Sequence, residues 1–221
     1  MNEPLAAEEI VVVSGLPRSG TSMMMQMLAA GGLRPLSDGV RGADGDNPEG
    51  YFELEAVKRT RTDASWLEQA PGHAVKMVHL LLLDLPARHG YRVIFMQRDL
   101  EEVLASQQAM LARKGDGTAQ LPAERLAAVY RQQVAAVLRS LRGRSNFRLA
   151  EVRHRDCIET PAAAAAAINA FLGGGLDAAA AAAAVRPGLY RQRGAARAQG
   201  LTPGRLGATA QRDQSTRRRQ G

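Results

Sequence analysis

The sequence predicts an α/β protein with three layers (α/β/α), in which helices cover both faces of a central, mainly parallel β-sheet. Short β-branched apolar segments alternate with longer segments of helical spacing, and a glycine-rich turn follows the first short segment. The 221 residues, of which 45% are hydrophobic, suffice for one domain with a full core. In such alternating folds the ligand binds at the carboxyl ends of the parallel strands.

The predicted elements begin with a strand. Ile10 to Val13 is too short and too β-branched for a helix, and a Ser-Gly pair ends it, which favours a central parallel strand. A helix over Met23 to Ala30 follows and ends at two glycines. Residues 33–50 are rich in Pro, Gly, Asp and Asn, which predicts a long loop of the kind that often carries function.

The rest of the chain continues the alternation. Asp99 followed by Glu102 is a capping-box signature and marks the start of a helix. The remaining predicted elements are a helix over Glu53 to Gln69, strands over Ala74 to Val78 and Arg92 to Met96, the capped helix, a helix over Ala123 to Leu141, a strand over Phe147 to Val152, and alanine-rich helices over Pro161 to Leu172 and Asp177 to Val185.

The basic charge of the chain lies almost entirely at its C-terminal end. The net charge is +7, but residues 186–221 hold nine arginines and one aspartate, which leaves −1 for residues 1–185. The body of the protein therefore has no basic surplus, and nucleic acid is not an expected partner. An arm that binds polyanions is the alternative explanation of the Arg-rich end. The composition divides the chain into an α/β domain over residues 1–194 and a basic, disordered tail over residues 195–221.

The cysteine content and the N-terminus predict a cytoplasmic protein. Cys157 is the single cysteine, so no intramolecular disulfide can form, and no Cys/His set has the spacing of a zinc site. The first residues are acidic where a signal peptide is basic, and no stretch has the length of a membrane span. We therefore expect neither a bound metal nor a membrane partner.

The segment Gly15-Leu16-Pro17-Arg18-Ser19-Gly20-Thr21-Ser22 has the glycine spacing of a phosphate-binding loop at a helix N-terminus. Thr21 stands where the nucleoside-triphosphate loop has the lysine that reaches the β- and γ-phosphates. The loop's cation is instead Arg18. A loop with backbone amides and a helix dipole but without that lysine favours an anionic nucleotide other than ATP or GTP. The fold expected is like that of the P-loop nucleoside-triphosphate hydrolases.

A second anion site is predicted at the end of the third strand. Arg98 ends that strand on the ligand side of the sheet, and Ser106 follows eight residues later in the capped helix. A forked guanidinium group and a hydroxyl suit a dianionic phosphate some distance from the loop. A salt bridge that flanks the helix is the alternative explanation of Arg98.

These two segments resemble those of one enzyme family. The loop over residues 13–22 resembles the 5′-phosphosulfate loop of sulfotransferases that use 3′-phosphoadenosine 5′-phosphosulfate (PAPS), and Arg98 with Ser106 is similar to their 3′-phosphate motif. The resemblance covers roughly residues 10–190 and implies transfer of a sulfuryl group from PAPS to a hydroxyl or amine acceptor. It implies that the 5′-phosphosulfate is held by Arg18, Ser19, Gly20, Thr21 and Ser22. Near residue 190, Arg193-Gly194 is similar to the family's late segment that also reaches the 3′-phosphate, and Arg191 is the alternative residue for this contact.

The resemblance also implies candidates for the catalytic groups. Lys76 and His79 lie in a segment that resembles the family's Lys and catalytic His, but here they are three residues apart instead of two, so they need not share one face. Residues 47–53 resemble the acceptor-side segment of bacterial and protein-tyrosine-type sulfotransferases, in which a Glu is the base. Glu53 is therefore the first candidate for the base, followed by Glu49 and His79, and Lys76 is the candidate for contact with the transferred group. A helix-capping role remains the alternative for each carboxylate, and a lysine that only reaches out from the sheet edge is the alternative for Lys76.

Two other functions remain open. A kinase-like P-loop phosphotransferase would share the fold, although Thr21 and the lack of an evident magnesium-binding Asp after a strand argue against it. A sulfotransferase-like module that binds the nucleotide without turnover is the second, because the spacing of Lys76 and His79 departs from the family's.

Overall fold

The computed structural model describes residues 8–40, 42, 50–114 and 121–189. Within these residues the centre is a sheet of four parallel strands: β1 (Ile10–Gly15), β2 (Ala74–Val78), β3 (Tyr91–Gln97) and β4 (Phe147–Arg153). The strand order is β2-β1-β3-β4, so β1 lies between β2 and β3. Val13 of β1 is paired with Lys76 on one side and with Ile94 on the other. The ends of three strands therefore meet beside the loop that follows β1.

Helices pack on both faces of this sheet, and the predicted α/β fold class is confirmed. The α-helices of the described residues are α1 (Thr21–Ala30), α2 (Leu100–Lys114), α3 (Ala123–Arg142), α4 (His154–Glu159), α5 (Pro161–Phe171) and α6 (Ala178–Ala183). The 3-10 helices are Glu55–Arg59, Ser65–Gln69, His79–Asp84 and Pro187–Leu189.

Two apolar layers fill the space between the sheet and the helices. Along β1, Ile10 and Val12 face a cluster formed with α3 and three of the 3-10 helices, which includes Trp66, Leu82 and Leu138. The alternate residues of β1 face a second cluster formed with α1, α5 and α6. All four β1 valine and isoleucine side chains are completely buried, which is the pattern of a central parallel strand.

One predicted helix is wrong. The segment from Glu53 to Gln69 forms two 3-10 helices instead of a single α-helix. Between them the Thr60 hydroxyl donates to the Val57 carbonyl, and the Asp63 carboxylate accepts from the Ser65 amide. These short polar side chains bind nearby backbone groups and so compete with a continuous helical ladder.

Two elements near the site are additional to those predicted from the sequence, namely the short helix α4 directly after β4 and the 3-10 helix His79–Asp84 directly after β2. The candidates Glu49 and Arg193 and the predicted boundary between residues 194 and 195 lie outside the described residues. Among the helices that the structure describes, none combines the length and the apolar character needed to cross a membrane.

Candidate active site

A tight loop connects β1 to α1 and lies against the end of β3. Gly15 has a φ of +150°, and a Cβ atom at this position would lie 2.5 Å from Ser19 Oγ and 2.7 Å from the Met96 carbonyl oxygen. The Ser19 amide donates to the Leu16 carbonyl at 3.1 Å, which closes the turn. The first glycine of the motif is therefore required by the close approach of the loop to its own strand end.

The loop leads into α1 through a second constrained glycine. Gly20 is the N-cap of α1 with a φ of +98°, no side chain caps the helix, and the first turn contains no acidic residue. The amides at this helix end, together with the positive end of the helix dipole, form a site suited to an anion. Arg18 has a φ of +70°, which is unfavourable for a residue with a side chain and is found most often at functional sites.

Arg18, Arg98 and Ser106 are joined directly although they come from three different elements. Arg18 Nε donates to the Ser106 hydroxyl at 3.0 Å. Arg98 Nη1 donates to the Arg18 carbonyl at 3.1 Å. The two guanidinium groups and the hydroxyl therefore lie together beside the loop, where Arg98 and the Ser106 hydroxyl can serve an anionic group separate from one at the loop.

Glu102 holds the guanidinium group of Arg98 in place. Arg98 Nε donates to Glu102 Oε2 at 3.0 Å within a pair that is almost completely buried. The second Glu102 oxygen lies 3.8 Å from Arg155 Nη2. The helix-flanking salt bridge expected as an alternative for Arg98 is thus present together with the contact to the loop. The buried pair fixes the direction of the arginine fork, which a solvent-exposed pair would not do.

Lys76 and Glu53 lie together at the first turn of α1. Lys76 Nζ lies 3.4 Å from Ser22 Oγ and 3.6 Å from Glu53 Oε1. It also donates to the Tyr51 carbonyl and lies 5.5 Å from the centre of the Tyr51 ring. Glu53 retains 24% exposure of its side chain, compared with 11% for Lys76. A carboxylate that is partly open to solvent therefore lies beside a lysine that contacts Ser22, at the end of the segment that connects β1 to α1.

His79 lies in a different environment from Lys76. It begins the 3-10 helix after β2, is 2% exposed, and its Nε2 lies 3.1 Å from Gln133 Oε1 on α3. Burial lowers the pKa of His79, and contacts with Gln133 and with the backbone of Gly15 partly offset this. The ring is therefore neutral at pH 7 and in contact with the α3 layer of the protein.

His154 is a buried group that the sequence reasoning did not select. It begins α4, and its Cδ2 lies 2.4 Å from the position that a Cβ on Gly20 would occupy. Burial lowers the pKa of His154 to about 4, helped by the charge of Arg98 and opposed by that of Glu102. The uncharged imidazole ring therefore occupies the space next to Gly20 at the end of the loop. Its position directly after β4 is a signal that could have found it, because the carboxyl ends of parallel strands meet at the ligand edge.

The structure brings most of the sequence-predicted site residues to one edge of the sheet. One group contains Arg18, Arg98 and Ser106, and another contains Ser22, Lys76 and Glu53. Glu102, which the sequence indicated only as a capping-box residue, and Tyr51 also contact these groups. Within the described residues, no three His, Cys, Asp or Glu side chains are grouped so that they could hold a metal ion.

Comparison with known proteins gives a likeness to solved structures but no sequence match. No protein-family model matches the chain, and no curated protein matches it. Among solved structures, the chain is similar to the sulfotransferase domain from the curacin biosynthetic pathway, with a TM-score of 0.46 and 16% sequence identity. The match covers 79% of this chain and 75% of that one.

Proposed function

We propose that this protein is an enzyme that transfers a sulfuryl group from PAPS to a hydroxyl or amine acceptor. The proposal rests on one observation, namely that hydrogen bonds connect Arg18 with Ser106 and with Arg98. These groups lie beside a loop that has the glycine spacing of a phosphate-binding loop but lacks its usual lysine. PAPS is a nucleotide with two anionic groups, one on the 5′ side and one on the 3′ side. The loop with Arg18 suits the first group, and Arg98 with the Ser106 hydroxyl suits the second.

In the proposed reaction the acceptor oxygen or nitrogen attacks the sulfur atom in line with the bond to the 5′-phosphate. The new bond to sulfur forms as the old sulfur–oxygen bond breaks, and 3′-phosphoadenosine 5′-phosphate leaves. The loop amides from Ser19 to Ser22, with Arg18, stabilise the charge that develops on the leaving phosphate oxygen. The contact between Lys76 and Ser22 at 3.4 Å supports a second cation near the same charge.

The acceptor must also lose a proton during the transfer. Glu53 is the proposed general base, because its carboxylate is partly exposed and lies 3.6 Å from Lys76, which in turn contacts the loop. The neutral ring of His79 could also accept a proton, but it is almost completely buried and contacts Gln133. Glu53 therefore remains the first choice among the candidates in the described residues.

Calorimetric titration with three adenine nucleotides tests the donor site. Comparing 3′-phosphoadenosine 5′-phosphate with AMP measures how much the 3′-phosphate contributes to affinity, because AMP lacks only that group. Titration with ATP tests the kinase-like alternative. We expect the bisphosphate to bind at least about tenfold more tightly than AMP, which is the effect of one charge-assisted contact. The variant Arg98→Gln/Glu102→Gln removes both charges of the buried pair, so that neither charge is left without its partner, and should remove this preference.

Arg153→Gln is the matched control, since Arg153 is an exposed arginine one residue before α4 that pairs with Asp156. It should keep the preference for the bisphosphate. A folded protein that binds ATP more tightly than the bisphosphate would instead favour the kinase-like phosphotransferase. A folded protein that binds AMP and the bisphosphate equally well would overturn the proposed donor.

A further inference from the structure

A cavity of about 550 Å³ lies between the end of β3, the loop after β1 and the helix α3. Leu16 and Ser19 of the loop form one wall, and Tyr130, Val134 and Leu138 of α3 contribute to the wall opposite. The volume is typical of a site for a small organic molecule. Tyr130 is fixed by hydrogen bonds of 3.0 and 3.3 Å between its hydroxyl and the Gln107 side chain on α2. The cavity is therefore a formed feature at the ligand edge of the sheet.

The walls of this cavity are apolar inside and basic at the rim. On α3, Tyr130, Val134 and Leu138 are spaced four residues apart and form an apolar row. The adjacent row, one residue further along, is Arg131, Ala135 and Arg139. Both rows line the cavity. The α3 wall of the cavity therefore consists of a hydrophobic row and, beside it, a row that contains two arginines.

This positive charge is available to a ligand. Arg98 and Arg142 also line the cavity but are paired with Glu102 and Glu151. By contrast, the side chains of Arg131 and Arg139 make no ion pair or hydrogen bond with any other described residue. None of the described lining residues is acidic. Two arginines beside an apolar strip suit a molecule that carries a carboxylate on an apolar body.

A buried hydroxyl lies at the loop side of the same cavity. Ser19 is 1% exposed, and its Oγ has no hydrogen-bond partner among the described residues. A buried polar atom without a partner is rare in folded proteins and needs an explanation. Because Ser19 lines the cavity, a ligand bound there can supply the partner. Ser19 belongs to the loop proposed to hold the phosphosulfate, so a ligand hydroxyl bound to it would lie next to the reacting group.

From this arrangement we infer that the cavity binds the sulfuryl acceptor, and that the acceptor is an apolar hydroxy acid. Its acid group is held by Arg131 and Arg139, its apolar body lies against Val134 and Leu138, and its hydroxyl points to the loop at Ser19. The role as acceptor rests on the proposed sulfotransferase activity, whereas binding of such an acid rests on the cavity alone.

The binding half of this inference is tested with two probes of equal length. ω-Hydroxydecanoate carries the carboxylate and the hydroxyl, and the corresponding decanediol has a second hydroxyl in place of the acid. In calorimetric titrations of the whole protein with 3′-phosphoadenosine 5′-phosphate present, we expect the acid to bind at least about tenfold more tightly than the diol. Arg131→Gln/Arg139→Gln should remove this difference. Arg125→Gln, on the same helix and outside the cavity, should keep it.

A second pair of variants tests where the probe binds. Ala135 lines the cavity, while Ala136 is also exposed on α3 but does not line it. Ala135→Trp should fill the cavity and abolish binding of ω-hydroxydecanoate, and Ala136→Trp should leave it unchanged. Thermal unfolding of both variants checks that each is folded.

Binding of 3′-phosphoadenosine 5′-phosphate to the same variants separates the two proposals. If Ala135→Trp blocks the bisphosphate, then the cavity holds the nucleotide and the inference is wrong, although the donor proposal stands. Equal binding of the acid and the diol, or no effect of Ala135→Trp on the acid, would also overturn the inference. Transfer of labelled sulfuryl from PAPS to ω-hydroxydecanoate, lost in Ala135→Trp and kept in Ala136→Trp, would support it in full.

Discussion

At the scale of single residues, the unfavourable backbone angles of the described residues lie next to the candidate catalytic groups. Arg18 has a φ of +70° and Phe52 a φ of +52°, and these are the non-glycine residues with positive φ in the described part of the chain. Each such conformation costs on the order of 1–3 kcal/mol of stability. Arg18 lies in the loop and Phe52 directly precedes Glu53, so the protein retains this strain where the proposed chemistry takes place.

The proposed role of Glu53 gives a prediction at this scale. Glu53→Gln keeps the size of the side chain but cannot accept a proton, and loss of a general base lowers a rate by roughly 10²- to 10⁴-fold. We expect kcat for sulfuryl release from labelled PAPS to fall by that factor, with binding of 3′-phosphoadenosine 5′-phosphate unchanged. The measurement is the rate of label transfer at saturating donor.

Glu55→Gln is the control for Glu53→Gln. Glu55 lies two residues further on, is exposed, and pairs with Lys58 instead of Lys76. Its substitution should leave kcat within about twofold of the unchanged protein, since exposed pairs contribute little. Equal rates for the two variants would remove Glu53 from the mechanism and leave His79, or Glu49 outside the described residues, as the base.

At the scale of elements, the junction between β1 and α1 is where sequence and structure agree best. The loop residues are contiguous, so their glycine spacing could be read directly from the sequence. The positions of Lys76 within β2 and of Arg98 directly after β3 were also predictable, because short β-branched runs identify these two strands. The break in the segment from Glu53 to Gln69 was not predicted, since side-chain contacts with the backbone decided it.

The two glycines that flank α1 give a prediction about this element. Gly20 and Gly32 both have a φ of +98°, but a Cβ on Gly20 would meet His154 at 2.4 Å, whereas nothing lies within 4 Å of one on Gly32. Gly32→Ala should therefore lower the free energy of unfolding by about 1–2 kcal/mol, through backbone strain alone. Gly20→Ala should cost roughly 1–3 kcal/mol more because of the additional clash. Urea unfolding measures both.

Binding of 3′-phosphoadenosine 5′-phosphate should separate the same variants. Gly20→Ala should displace the helix end that is proposed to hold the anion and lose binding, while Gly32→Ala should keep it. Adding His154→Ala to Gly20→Ala removes the clash but not the strain, so the stability should recover in part. Equal stability losses in Gly20→Ala and Gly32→Ala would show that His154 does not limit the loop.

At the scale of the whole molecule, the pKa of His154 predicts a dependence of stability on acidity. Its pKa falls from 6.5 to about 4 on folding, because the charged form is disfavoured by burial and by Arg98. Below pH 6.5 the unfolded chain therefore binds a proton that the folded chain does not. The stabilisation is fully present above pH 6.5 and is lost as the pH falls toward 4, a loss on the order of 3 kcal/mol.

Urea unfolding between pH 7 and pH 4 checks this dependence. His154→Gln should reduce the fall in unfolding free energy across this range, whatever its effect on stability at pH 7. Some slope should remain in the variant, because burial also lowers the pKa of His79. A pH dependence identical to that of the unchanged protein would contradict the assignment to His154.

The amino-acid sequence by itself determined the α/β fold class, the glycine spacing of the loop after β1 and the position of Arg98 directly after β3, because each depends on periodicity or on short spacing along the chain. The tertiary structure alone decided the strand order, the contact of Lys76 with Ser22 and Glu53, the wall that His154 forms behind Gly20, and the cavity against α3. These features join residues that are far apart in the chain. Their positions follow from how the helices pack on the two faces of the sheet, which no local pattern encodes.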